Sequence, residues 1–335
     1  MTWMRSALTD LLPRIAVVGI AGGTLAAYLG RAAHLCELAT HFRLYYAVFA
    51  FALALIFAAK RAPRWALAAA GCLAVNAAFI LPWYGPRPVQ PAPGAERLRL
   101  LHYNVNARNR RSEELFALVR AEQPDLVVLN EVNWPWAAAL EELKATMPYA
   151  HIAPQREPAG TAVFSRRPFA EDRELRLGPN PAPSILVRVP AGTGAVSILT
   201  LHPTAPDERD GLIERNEQLR AAAAVLQELP APRILIGDLN VTMWSPYYAD
   251  LERETGLRNA RRGFGVRPTW PTQLRLLPFL MIPIDHCLVS PEITVTDLRA
   301  GPAIGSDHLP VIVDLAIENG PRMTRIKRIG TDQHP

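Results

Sequence analysis

The sequence is poor in cysteine and, over its first quarter, poor in charge. Three cysteines occur in 335 residues: Cys36, Cys72 and Cys287. None forms a Cys-x-x-Cys pair, so a thiolate metal site is excluded. Cys287 stands alone after residue 86, so no disulfide framework is available there, and it reads as a small buried apolar residue. Other signatures are also missing. There is no Gly-x-Ser-x-Gly elbow, no Walker loop, no dinucleotide-binding glycine pattern and no His-Glu-x-x-His.

Charge is absent from three long runs, residues 15–30, 44–59 and 65–86. The third is long enough for a bilayer, which takes about 20 apolar residues. The first two need flanking Arg14, Arg31, Arg43 and Lys60 to reach the interface. The expectation is a bundle of about three transmembrane helices, near 11–31, 42–60 and 65–84. Lys60, Arg61 and Arg64 crowd the loop between the second and third runs, which places that loop in the cytoplasm. The N-terminus then lies inside, and everything after residue 86 lies outside. The chain reads as a multi-pass protein of the inner or plasma membrane with an extracytoplasmic globular part. The net charge of +5 sits largely in helix flanks and the tail, so it is no argument for nucleic acid.

Four regions follow: a membrane domain at 1–86, a Pro-rich linker at 87–96 reading as a stiff spacer, a globular domain at 97–318 and a basic tail at 319–335. Within 97–318, short apolar runs alternate with amphipathic ones. Ser112 is placed to cap a helix that ends before Pro124, 136–147 reads as another, and 209–229 as a long one. Some strands follow one another directly, which predicts an α/β protein with mixed sheets.

Polar residues fall at the ends of these strands. Asn104 and Asn106 close one and Glu131 the next. His202 closes another, and Asp238 with Asn240 a fourth. Asp285 interrupts an apolar run, and Asp307 with His308 precede the last strand. Strand ends at one sheet edge are where open α/β proteins build sites. Hard oxygen donors without cysteine suit Mg²⁺ or Mn²⁺. A divalent ion with a His-Asp pair suits phosphate-ester hydrolysis, in which a carboxylate or imidazole handles the water.

The succession "NVN", "NE", "LHP", "GDLN", "IDH" and "GSDH" resembles the endonuclease/exonuclease/phosphatase superfamily, over about residues 97–318. That family includes pancreatic-type deoxyribonuclease, abasic-site endonucleases, inositol polyphosphate 5-phosphatases and sphingomyelinases. The resemblance implies a four-layer sandwich of two mixed β-sheets flanked by helices. It implies Glu131 as the main Mg²⁺ ligand, with Asn104 beside it and Asp307 as a further metal carboxylate. Asn106 stands where many members have Asp. His202 and Asn240 would contact the phosphate, and Asp285 would pair with His308. Asp238 or His308 would be the base. "NE" stands where the family usually has "QE".

The reading is a membrane-anchored Mg-dependent phosphohydrolase acting on phosphate ester or diphosphate bonds of lipid-linked substrates outside the cytoplasm. The alternatives are a nuclease of the same chemistry and a non-catalytic binding module. Expected partners are the bilayer and a phosphate-containing substrate, lipid-linked or nucleic acid, and no protein. Arg267 and Trp270 are further candidates for the cleft wall. Arg108, Arg110, Arg111, Arg166 and Arg167 could form a basic groove for nucleic acid. His34, His41, His102 and His151 read as ordinary.

Overall fold

The computed structural model describes residues 2–86, 90–156, 158–179, 182–192 and 194–318. The basic tail and residues 87–89 of the linker lie outside the described residues. Four helices come first: α1 (Thr2–Tyr28), α2 (His34–Thr40), α3 (Arg43–Ala59) and α4 (Pro63–Ile80). Among the described residues, two segments are long and apolar enough to cross a membrane, Asp10–Tyr28 and Pro63–Tyr84. The pair α2 and α3 qualifies only if counted as one span, and it is bent by 68°. Outward side chains of the long helices are apolar, Val18, Leu25, Phe51, Leu55 and Leu67 among them. Arg43 does not reach outward as its position suggested. It is buried, with its guanidinium 3.4 Å from Asn76 Oδ1 and stacked 3.6 Å over the Phe79 ring.

β1 (Glu96–Asn104) leads through α5 (Ser112–Glu122) to the parallel β2 (Leu126–Asn130). Ser112 is the first residue of α5 rather than its cap, which is Arg111. α6 (Trp134–Leu140) tightens into a 3₁₀ turn from Glu141. β3 (Tyr149–Ala153) and β4 (Thr161–Ser165) complete that half, and β5 (Glu171–Arg176), β6 (Pro183–Ala191) and β7 (Gly194–Thr200) open the other. α7 (Arg209–Glu228) crosses to β8 (Arg233–Asp238), which is parallel to β7. α8 (Pro246–Thr255), β9 (Arg258–Asn259), β10 (Asp285–Val289), β11 (Ile293–Ala300) and β12 (Val311–Ile317) follow. The sheets have the orders β11-β12-β1-β2-β4-β3 and β5-β6-β7-β8-β10-β9. Each mixes one parallel pair with antiparallel ones.

Successive side chains of a strand point to opposite faces. Leu98 and Leu100, Leu126 and Val128, Ile234 and Ile236, and Cys287 with Val289 share the core between the two sheets. Leu101, Tyr103, Val127 and Leu129 face α5 and α6 instead. Leu235 and Leu288 lie with α7 and α8 on the second sheet's outer side. The result is four layers, helices outside two sheets. Burial pushes the Cys287 thiol up to about 12, so it is an inert core group.

The N-terminal helices dock on the second sheet's outer side. Ala47, Ile80 and Trp83 share one apolar cluster with Leu239, Val241 and Trp244. The Trp83 carbonyl accepts from the amides of Gly263 (3.1 Å) and Gly265 (2.9 Å). Trp244 Nε1 donates to the Phe79 carbonyl at 3.1 Å. The Pro-rich stretch therefore does not hold the two parts away from each other. Contact residues on both sides make them one packed body.

Candidate active site

The inward pleat face that carries the sandwich core also carries the polar groups where it runs out. On β1 the series Leu98, Leu100 continues as His102 and Asn104. On β2, Leu126 and Val128 lead to Asn130. On β8, Ile234 and Ile236 lead to Asp238, and on β10 the order is reversed, from Asp285 to Cys287. β8 and β10 pair with Asp238 opposite Asp285. Two carboxylates thus face each other at the end of one sheet, opposite Asn104 and His102 on the other.

Asn104 joins the pieces. Its Nδ2 lies 2.9 Å from Glu131 Oε1, 3.0 Å from Asp238 Oδ2 and 3.4 Å from His308 Nε2. His308 Nδ1 is 2.9 Å from Asp285 Oδ2, and its Nε2 is 3.6 Å from Asp238 Oδ2. His202 Nε2 approaches the same Asp238 oxygen at 3.7 Å. The Asn240 amide donates to Asp238 Oδ1 at 3.0 Å, and its side chain donates to the Pro203 carbonyl at 2.9 Å. Asp307 accepts from Trp270 Nε1 (3.0 Å) and Asn106 Nδ2 (2.7 Å). Glu131, Asn240 and Asn106 all have positive φ, at 60°, 48° and 56°. Such backbone is uncommon outside glycine and is concentrated at functional sites.

The structure brings Asn104, Glu131, His202, Asp238, Asn240, Asp285, Asp307 and His308 together here, whereas the other candidates differ. Asn106 reaches Asp307 rather than the cavity. Trp270 lines the cavity, but Arg267 turns away and donates to the Phe264 carbonyl. Arg166 and Arg167 bond Gln123, Glu96 and Asp125 at the far end of β1 and build no groove with Arg108 to Arg111. Three further groups belong here, although His102 and His41 read as ordinary in the sequence. His102, fully buried, places Nε2 3.0 Å from Asp285 Oδ1. Asn130 accepts the Asp238 amide at 3.0 Å. His41, just past the end of α2, lines the cavity. For the first two, the i, i+2 pattern of inward side chains was the available signal.

Burial pushes the Asp238 carboxyl above its ordinary value. His308 opposes this and Asp285 reinforces it. Burial would likewise raise Asp285, but His308 and His102 hold it well below the carboxylate range. Burial would lower His308, yet Asp285 and Asp238 raise it. The arrangement is an imidazolium between two carboxylates, one firmly ionised and one closer to taking a proton.

Two oxygen sets could take a cation. Ligand atoms of Asp238, Asp285 and His308 lie within 4.8 Å of one another. However, both Asp285 oxygens already accept from imidazoles, and His308 Nδ1 is spent on Asp285. Glu131 and Asp307 line the cavity, with Asn104 buried behind Glu131. The Glu131 oxygens accept from the amides of Asn104 and Ala107, and those of Asp307 from the Asn106 amide and the Trp270 indole. Two carboxylates with an amide oxygen are a donor chemistry that fits a hard divalent ion. The cavity measures about 780 Å³. Its lining is mixed: Glu131, Asp238, His202 and His308 supply polar groups, and Leu38, Phe42, Pro206 and Ile282 supply apolar ones.

Residues 101–308 match the Endonuclease/Exonuclease/phosphatase family. The chain belongs to that family. Its members are metal-dependent hydrolases acting on phosphate esters, which makes the protein an enzyme of that type and removes the non-catalytic reading. Solved structures with the same fold include an endonuclease/exonuclease/phosphatase from Beutenbergia cavernae DSM 12333. It is 24% identical, with TM-score 0.56, over 68% of this chain and 73% of that one. TDP2 of D. rerio complexed with single strand DNA product is 18% identical, with TM-score 0.56, over 65% and 98%. An endonuclease/exonuclease/phosphatase from Bacteroides vulgatus is 17% identical, with TM-score 0.55, over 66% and 99%. No curated protein matches.

Proposed function

We propose that the protein is a membrane-anchored, Mg-dependent phosphohydrolase that cleaves phosphate ester or diphosphate bonds of lipid-linked substrates outside the cytoplasm. The observation that carries the reading is one cavity lined both by Asp238, His308 and Glu131 and by Leu38 and Phe42 of the N-terminal helical region. Glu131, Asn104 and Asp307 would hold Mg²⁺, which neutralises phosphate oxygens when bound. Asp238, with its raised pKa, takes a proton from the attacking water. His308 stays protonated against Asp285 and donates to a phosphate oxygen through Nε2, and His202 and Asn240 donate from the flank. The water oxygen bonds to phosphorus as the P–O bond to the leaving group breaks, and the departing oxygen takes a proton from solvent and leaves as alcohol or phosphate.

The helix arrangement supports the orientation. Lys60 meets Asp10 at 2.5 Å, and Arg14 lies 5.8 Å from the Trp65 ring, so the basic turn and the start of α1 share the end away from the sandwich. Basic residues at that end favour the cytoplasmic side. The nuclease reading is weaker, because Arg176 is the one basic side chain among the described residues that line the cavity besides its histidines.

The test uses the full chain with Mg²⁺, offered an isoprenyl diphosphate and, separately, plasmid DNA. Metal-dependent turnover of the first, lost about 10³-fold in Asp238→Asn and His308→Ala, is the expected result. Cleavage of DNA alone would make it a nuclease. Undiminished turnover in both variants, or in EDTA, would overturn the site.

A further inference from the structure

The segment between the Trp270–Ile282 bridge and Asp285 is more apolar than a soluble loop can be. Residues 276–284 read "LLPFLMIPI" without a polar side chain. Leu276 is 87% exposed and Leu277 is 48% exposed. Exposed leucine pairs at a loop tip are a liability in water. The segment does not lie free on the sandwich. The Tyr45 hydroxyl of α3 donates to the Leu280 carbonyl, and Phe279 packs edge-on against Phe49 with ring centroids 6.2 Å apart. Phe49 is six residues into α3, about 9 Å along its axis at 1.5 Å per residue. α3 measures only about 25 Å by the same rise, so a bilayer core of about 30 Å takes in its whole length. Phe279 is then level with the hydrocarbon, and Leu276 and Leu277 project beside it. The base of the loop is fixed next to the reacting groups. Trp270 and Ile282 exchange backbone bonds of 3.1 and 2.6 Å, and Trp270 Nε1 holds Asp307.

We infer that residues 276–281 form an apolar finger that enters the outer leaflet beside α3, and that the cleft between this finger and Phe42, the residue before α3, opens onto the membrane. The occupant of the exposed face is the bilayer, because the face is continuous with the lipid-facing surface of α3. Ile282 and Ile284 on one lip and Leu38 and Phe42 on the other then line the path of a substrate whose hydrocarbon chain stays in the leaflet while its phosphate reaches Asp238. This deepens the proposed function and rests on it for the substrate, whereas the insertion of the finger stands independently.

The experiment places Leu277→Cys in the full chain with Cys36 and Cys72 replaced by Ala, labels it with an environment-sensitive fluorophore, and reconstitutes it in phosphatidylethanolamine–phosphatidylglycerol vesicles. The expected result is a blue-shifted probe quenched by acyl-chain spin labels, with no quenching at Arg253→Cys on the sandwich. A probe at 277 that behaves like the one at 253 overturns the finger. In parallel, the double variant Leu276→Asp, Leu277→Asp is expected to lose about tenfold or more on vesicle-borne isoprenyl diphosphate while keeping turnover of the soluble bis(p-nitrophenyl) phosphate. Equal loss on both, or none on either, overturns the membrane-facing mouth. A wild-type protein inactive on every phosphate ester refutes the proposed function, while the quenching result still decides the finger.

Discussion

Asp285 has two oxygens and two histidines to share them. His308 takes one and His102 the other. His102 Nδ1 is buried without a partner, and its Nε2 is the nitrogen that meets Asp285. It touches no cavity space and acts through Asp285 as a positioning residue. His102→Phe, which keeps the ring and removes the donor, should lower kcat about tenfold with KM unchanged, whereas an unaltered kcat would make the contact structural only. The next residue, His286, points to the outer face. Its Nε2 donates to the Val241 carbonyl at 2.8 Å, and its Nδ1 accepts from Asn259 (3.0 Å) and Arg261 (3.2 Å). Burial and then Arg261 push its pKa down to about 3. The unfolded chain binds a proton near pH 6.5 that the folded one refuses until about 3, so stability falls with pH across that window, by up to roughly 4–5 kcal/mol. His286→Gln should flatten that part of the unfolding-temperature profile, and an unchanged slope between pH 6.5 and 4 would refute the assignment. Asp285 was legible in the sequence because a carboxylate inside an apolar run demands partners. The family resemblance implied His308 as one partner; that His102 is the other is a matter of sheet-to-sheet facing, which no local pattern records.

Strand ends set the site, and Gly237 shows what one of them requires. A Cβ there would stand 1.9 Å from the Leu201 carbonyl oxygen, so β8 lies tight against the segment that delivers His202. The glycine before Asp238 is therefore a closeness requirement, and it brings His202 within 3.7 Å of the aspartate. Gly237→Ala should cost at least about 1–3 kcal/mol and spread the two groups. The check is a lower unfolding midpoint together with a fall in kcat larger than that of Ala substitutions on the helical faces. Central strands such as β2 and β8 were readable because both faces are buried and their sequences are continuously apolar. β5 was not, since "EDRELR" is an edge strand with mostly exposed side chains. β11 lost its period-2 signal at the register shift between Val295 and Asp297. α8 carried a signal that went unread, Ser245 as cap and Pro246 in the first turn.

At the scale of the molecule, the decisive feature is that α2 is wired into the catalytic loop after β8. Arg215 of α7 is fully buried. It donates to Glu37 of α2 at 2.8 Å and to the Asn240 carbonyl at 3.0 Å. Ser245 also donates to Glu37 at 2.8 Å, and His41 lies 3.0 Å from the Thr242 hydroxyl. Nothing in the sequence marks Glu37 and Arg215 as partners, because a pair 178 residues apart leaves no spacing pattern. Removing one member strands the other charge in the interior. Glu37→Gln should therefore lose about 3–5 kcal/mol and loosen the carbonyl of Asn240, lowering turnover as well. Replacing both residues by Met removes the stranded charge and should restore most of the stability, since apolar substitutes for a buried pair are often neutral or better. It should not restore turnover, because the Asn240 carbonyl still lacks its donor. Thermal unfolding and kcat of the two singles and the double, in the full chain, separate these effects. A double variant as unstable as the worse single would mean that the pair acts through packing, and full activity in the double would detach α2 from the catalytic loop.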